Sequence, residues 1–271
     1  MGYLKRFSDL AGGVAAFFAA VFLLGKYMEY DPAQVGEGKS KLEWFFSSDN
    51  SMEYRQYLVL IGLMVLCVAL GLIFKKIPAV SLVASVLPLC QAMSMLYTDL
   101  FYEFAYFYVA VCFLMFCANL YETAVVDKAN GQQTTVFAAR AIGLLGGVLA
   151  FVSLYANKLA QSISDPMILE DLFEKYTKIA GELKAFGMMF YLAVPQNEPS
   201  TLIFLATALV ACVLISMLLS RVHFINALLA FVPFVWSVSA FHARNIAVAP
   251  MLVIVPAAAY FACCLALVWR E

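Results

Sequence analysis

The chain is short of charge: only 13% of its 271 residues are Asp, Glu, Lys or Arg, while 64% are hydrophobic and the mean hydropathy is +0.88. Soluble domains carry about 25% charged residues, so a water-soluble fold of this length is excluded by apolar surface it could not hide. The charges present nearly cancel, at net −1 and an isoelectric point near 6.1. That leaves no basic patch for nucleic acid. Histidine is scarcest, with only His223 and His242. They stand about 18 helical residues apart, a full membrane thickness at 1.5 Å per residue, so they cannot share a metal. HExxH, GxSxG, the P-loop and GxGxxG are all missing, and with them the usual metalloprotease, hydrolase and nucleotide chemistries. No metal, no cofactor and no enzymatic activity are therefore expected.

Polar-loop cysteine is also missing. Cys67, Cys90, Cys112, Cys117, Cys212, Cys263 and Cys264 all lie in apolar runs and none forms CxxC. This excludes a loop disulfide framework and a redox pair, and leaves them as small buried hydrophobes. The opening "MGYLKRFSDLAGGVAAFFAAVFLLGKY" has the charge and apolar run of a signal peptide. It lacks an A-x-A-like cleavage site and is expected to be kept as a span.

What the chain has in quantity is long apolar runs, at 10–25, 57–74, 77–97, 104–121, 141–156, 201–219, 222–241 and 248–269. A bilayer crossing needs about 17–25 residues of helix, and helices satisfy their own backbone in lipid. The reading is an all-α integral membrane protein of eight transmembrane helices. Runs 10–25 and 141–156 are short and need a flanking turn. An even number of spans puts both termini on one side. Placing them in the cytoplasm gathers Lys5, Arg6, Lys75, Lys76, Lys128, Arg140, Arg221 and Arg270 close to helix ends in the shorter segments, as the positive-inside rule asks. The expected location is the cell membrane, with the lipid bilayer as first partner.

An internal repeat organises the spans. "RFSDLAGGVAAF", residues 6–17, matches "RAIGLLGGVLAF", residues 140–151, at seven of twelve positions, among them Arg6/Arg140, Gly12/Gly146, Gly13/Gly147 and Phe17/Phe151. Past a longer second loop the offset grows and sets Pro88 opposite Pro233. The chain thus reads as two four-helix repeats, 1–129 and 130–271, joined at "DKANGQQTT" (127–135). Four spans per half make the repeats parallel, related by a pseudo-twofold axis along the membrane normal. Gly143 and Gly147 form GxxxG, a close-packing face in lipid; it serves helix packing within the chain or, alternatively, a homodimer.

The two long outer loops differ from the spans. Residues 164–187, "SDPMILEDLFEKYTKIAGELKAFG", open with an Asp-Pro helix start and repeat apolar residues every three or four positions. That is an amphipathic helix on the outer surface, fit to pad the interface, act as a lid, or dock a membrane protein partner. In the short turn between spans three and four, Asp99 and Glu103 lie among aromatic residues. A catalytic pair there, for an enzyme acting on lipid, is the weaker reading, because carboxylates at the headgroups are solvated and the rings form an interfacial belt. At the repeat offset Asp99 falls opposite Arg244, and the two are expected to pair across the outer end.

Function rests on the prolines. Pro88 and Pro233 stand mid-span at corresponding places, with Gln91 and Trp236 one turn on. Each proline frees a helix carbonyl, and interrupted helices at matching places in two halves point to a transport site. The expectation is a permease-like protein binding an uncharged or amphiphilic small molecule between its halves at Pro88, Gln91, Pro233 and Trp236. The alternative is a non-catalytic scaffold or assembly subunit. The lack of charge at the span centres argues against coupling to protons or sodium.

Overall fold

The computed structural model describes residues 3–28, 51–74, 77–97, 105–130, 133–161, 198–219, 222–242 and 251–269. Among them are eight helices and no strand: α1 (Tyr3–Met28), α2 (Ser51–Ile73), α3 (Pro78–Tyr97), α4 (Ala105–Asn130), α5 (Thr134–Gln161), α6 (Glu198–Leu218), α7 (His223–His242) and α8 (Met251–Val268). Five described stretches are long and apolar enough to cross a membrane: Tyr3–Met28, Gln56–Ile73, Pro78–Leu96, Ala105–Asp127 and Thr134–Phe151. Shorter apolar helices run over Ile203–Leu218, His223–Val238 and Leu252–Val268. The amphipathic segment 164–187, the first long loop, Asp99, Glu103 and Arg244 lie outside the described residues.

Contacts divide the chain into two units, Met1–Val126 and Asp127–Glu271. In the first, α2 packs on both α1 and α3. Tyr57 of α2 meets Tyr108 of α4 edge-on with ring centroids 5.8 Å apart. The inward stripe of α1 is Lys5, Ser8, Gly12, Ala15, Ala16, Ala19 and Leu23, a helical period of three and four. Its outward residues Phe7, Leu10, Val14, Phe17, Phe18, Val21 and Leu24 are large, apolar and exposed. In water such a face would be a patch calling for a cover; against hydrocarbon it is the favourable surface. This is the exterior of a membrane-embedded protein.

The helix α1 has 26 residues and α5 has 28, so both outrun the short apolar runs read from sequence. For α1 the physical reason is burial of its polar end. Lys5 and Ser8 turn inward, so the helix extends through a charged segment without setting it against lipid.

In the second unit α5 packs on α6 and α8, α6 on α7, and α7 on α8, closing a ring of four helices. Phe204 of α6 meets Trp236 of α7 at 4.7 Å, and Phe234 of α7 stacks on Phe261 of α8 at 5.7 Å. Glycines set the closest approaches. A Cβ on Gly143 would stand 2.5 Å from Val213 Cγ2, on Gly146 2.9 Å from Pro256 Cβ, and on Gly147 2.9 Å from Val210 Cγ2. The clearance of Gly143 and Gly147 is therefore taken up by α6 inside the unit. Both glycines are buried at this seam within the unit.

The same geometry ranks substitutions. Gly143→Ala meets the branched, fully buried Val213 and is expected to cost about 1–3 kcal/mol, the usual toll of overpacking. Gly13→Ala meets nothing within 4 Å and is expected to be neutral or stabilising by up to about 1 kcal/mol, since Ala is the better helix former. Thermal unfolding in detergent checks the pair; equal melting temperatures for the two variants would contradict the packing.

Candidate functional site

Pro88 and Pro233 are each the eleventh residue of a twenty-residue helix, α3 and α7, and both are buried. Proline has no N–H to give and crowds the preceding turn. The carbonyls of Ala84 and Leu229 therefore lose their ordinary helical donor, in helices that nevertheless continue. Gln91, half-buried, sends its Nε2 to the Gln56 carbonyl of α2 at 3.4 Å. It ties α3 to α2, which makes it a helix-bridging residue as it stands. Trp236 is 5% exposed, with its ring against Phe204. The sequence-predicted residues thus fall into one pair in the first unit, Pro88 and Gln91, and one in the second, Pro233 and Trp236.

Two clefts lie elsewhere, and none of these four residues is among their described lining. One of about 400 Å³ is lined by Phe18, Val21 and Phe22 of α1 and Phe107 and Tyr108 of α4. The other, about 480 Å³, runs along α5 and α6 past Gly147, Phe151, Val210 and Leu214. Among the described residues their walls are almost wholly apolar, with no charged side chain to orient a polar solute, and suit a hydrocarbon chain or a helix face.

The most unusual interior belongs to residues the sequence reading treated as end charges. Lys5 is 4% exposed, and its Nζ donates to Asn119 Oδ1 of α4 at 2.5 Å. Asn119 Nδ2 donates in turn to the Met115 carbonyl at 2.8 Å, and Thr123 Oγ1 donates to the Asn119 carbonyl at 2.7 Å. Gly71 of α2 makes the room: a Cβ there would lie 3.4 Å from Lys5 Nζ and 3.2 Å from Ser81 Oγ of α3. Asp9, one turn along α1, is within electrostatic reach of both Lys5 and Glu122 of α4. Asp9 Oδ2, Glu122 Oε2 and Ser81 Oγ are buried without a hydrogen-bond partner. Sequence offered one signal for this cluster, Asn119 within an apolar run; Lys5 stands 114 residues away and resembles any flanking basic residue.

The second unit opens on another polar knot. Asp127, in the last turn of α4, accepts from the backbone N–H of Thr134 at 3.1 Å and of Thr135 at 2.6 Å, and from both threonine hydroxyls. Further along, Arg140 Nη2 donates to the Ser216 carbonyl of α6 at 3.3 Å. The seven cysteines are free thiols, six of them buried. Among the described residues no group of three His, Cys, Asp or Glu is placed to hold a metal.

Long apolar helices, a lipid-type exterior and hydrogen-bonded polar interiors define the class: an all-α, membrane-embedded protein with several spans. Comparison with protein-family models, with curated proteins and with solved structures finds no match.

Proposed function

We propose that this chain is a permease-type carrier of the cell membrane, with eight spans arranged as two parallel four-helix repeats and both termini cytoplasmic. Its substrate is an uncharged or amphiphilic small molecule, held between the halves near Pro88, Gln91, Pro233 and Trp236. The observation that carries this reading is the pair of buried prolines at the same position of α3 and α7. Packing supports the duplication: Gly12 of α1 faces Met115 of α4, and the matching Gly146 of α5 faces Pro256 of α8. Discontinuities at corresponding places in two repeats are where carriers form their sites. The four residues themselves carry no charge, which favours an uncharged or amphiphilic solute over a charged one.

The test is a scan of Pro88→Ala, Gln91→Ala, Pro233→Ala and Trp236→Phe. Uptake into proteoliposomes and solute-induced thermal stabilisation are measured over a panel of uncharged and amphiphilic compounds. At least one compound is expected to stabilise the wild type and to lose most of that effect in two or more variants that still fold. Wild-type behaviour across the whole scan sinks the reading. The second reading, a non-catalytic assembly subunit, draws on the open apolar groove along α5 and α6, which suits a partner's helix. Purification from native membranes without a stoichiometric partner would remove it.

A further inference from the structure

We propose that the cleft between α1 and α4 is a binding site for an anionic phospholipid, with one acyl chain in the cleft and the phosphate beside Lys26. Near the start of α1 the two helices are closed. Lys5 Nζ donates to Asn119 Oδ1 at 2.5 Å, and a Cβ on Gly12 would stand 2.6 Å from Met115 Sδ. Further along, Phe18, Val21 and Phe22 of α1 face Phe107 and Tyr108 of α4 across a gap of about 400 Å³. That volume lies within the range of about 300–1,000 Å³ usual for ligand sites. Its rings are held from behind. Tyr57 of α2, 1% exposed, packs against Phe22 at 5.1 Å and against Tyr108 at 5.8 Å. One buried ring thus sets both walls before a ligand arrives, which lowers the cost of ordering them on binding.

The occupant is a lipid chain rather than a helix. Phe18, Val21 and Phe107 are about half exposed, so the mouth opens on the face that meets hydrocarbon. A gap left there forfeits dispersion contacts until a chain fills it. Helices approach closely in lipid across small residues. The described lining of this cleft has none, only four aromatic rings and a valine, whereas the α5–α6 groove presents Gly147, Ala206 and Ala211. Depth fits as well. From Lys26 to Phe18 the helix rises about 12 Å at 1.5 Å per residue, close to one leaflet's half of the roughly 30 Å hydrocarbon core. A chain hanging from a headgroup beside Lys26 therefore runs the length of the cleft. Charge selects the headgroup. Lys26 stands in the last turn of α1, half-buried, with Nζ 5.8 Å from the centre of the Phe22 ring. The ring face steadies the ammonium at the edge of the cleft it lines, where a lysine stem on a span reaches for headgroups. That charge draws a phosphate, and an anionic headgroup brings no cation of its own to compete, as a zwitterionic one does. The site needs only the lipid-facing exterior and stands apart from the carrier reading.

The experiment is native mass spectrometry of the full chain, delipidated in detergent and titrated with phosphatidylglycerol or with phosphatidylcholine of the same acyl chains. One phosphatidylglycerol is expected to bind about fivefold more tightly than phosphatidylcholine, the effect of one lysine on an anionic headgroup. Lys26→Gln is expected to equalise the two lipids, and Lys26→Arg to keep the difference. Val21→Trp fills the cleft from an exposed position. It is expected to weaken both lipids at least about tenfold, the equivalent of two methylenes left unburied. Phe17→Trp, exposed on α1 outside the described lining, is the control and is expected to bind as the wild type does. Equal wild-type affinity for the two lipids overturns the proposal with no variant required, since it leaves only general contact with the bilayer. So does a preference that survives Lys26→Gln, or binding by Val21→Trp no weaker than by Phe17→Trp. A second copy or a copurified helix retained in place of lipid overturns it as well.

Discussion

Lys5→Ala is expected to destabilise the first unit by about 2–4 kcal/mol, the combined toll of stranding a buried acceptor and emptying the space its stem fills. The side chain is 4% exposed, so solvent screening does little to soften the loss. Its Nζ satisfies Asn119 Oδ1 at 2.5 Å, and its stem fills the space that Gly71 leaves open on α2. Removing it also takes away the positive charge that acts on half-buried Asp9, and leaves Asp9 facing the like charge of Glu122. Lys5→Met keeps most of the stem and isolates the charge effect, so its loss should be large but smaller than that of alanine. Adding Glu122→Gln to Lys5→Met should recover part of the deficit, because the second change removes a charge the first left unpaired; such coupling marks a direct interaction. Thermal unfolding of the purified chain reads all three effects. A Lys5→Ala variant within about 0.5 kcal/mol of wild type, the span of ordinary surface changes, would mean that Lys5 reaches water.

The helical elements were legible in the sequence because hydrocarbon imposes a simple rule on each apolar run. The run at 77–97 became α3 almost residue for residue, with Pro88 inside it. Helix ends were less legible. At 10–25 the apolar run understated α1, because Lys5 and Asp9 read as the start of a polar flank. Whether such a residue faces water or a neighbouring helix depends on Asn119 and Glu122, more than a hundred residues on, and no local pattern carries that information. The GxxxG pair shows the same limit: close packing at Gly143 and Gly147 was evident, but its partner, Val213 and Val210 of α6, was not. Gln91 read as a deep polar side chain fit to meet a solute, and it spends its amide on the α2 backbone. The coarse class thus follows from composition, while each polar contact is a long-range event.

Asp127→Ala is the second large effect expected, and it lies in a stretch that composition marks only as a joint. The first N–H groups of a helix have no intrahelical partner, and a carboxylate beside them also meets the positive end of the helix dipole. Asp127 is fully buried and divides its oxygens: Oδ1 serves the N–H and hydroxyl of Thr134, and Oδ2 those of Thr135. Alanine leaves four donors without an acceptor, at an expected cost of about 2–4 kcal/mol, more than an ordinary cap because the bonds are charge-assisted and buried. Asp127→Asn should be only a partial rescue, since its amide nitrogen would point a donor at donors. Thr134→Val or Thr135→Val removes one hydroxyl bond and keeps the backbone cap, so each should cost about 1 kcal/mol. Hydrogen exchange of the amides from Thr134 to Phe137 separates this account from a general loss of packing. In Asp127→Ala, exchange should accelerate there while amides in the middle of α5, around Gly146, change no more than the global stability requires. Uniform acceleration along the whole helix, or none at its first turn, would show that α5 starts without Asp127.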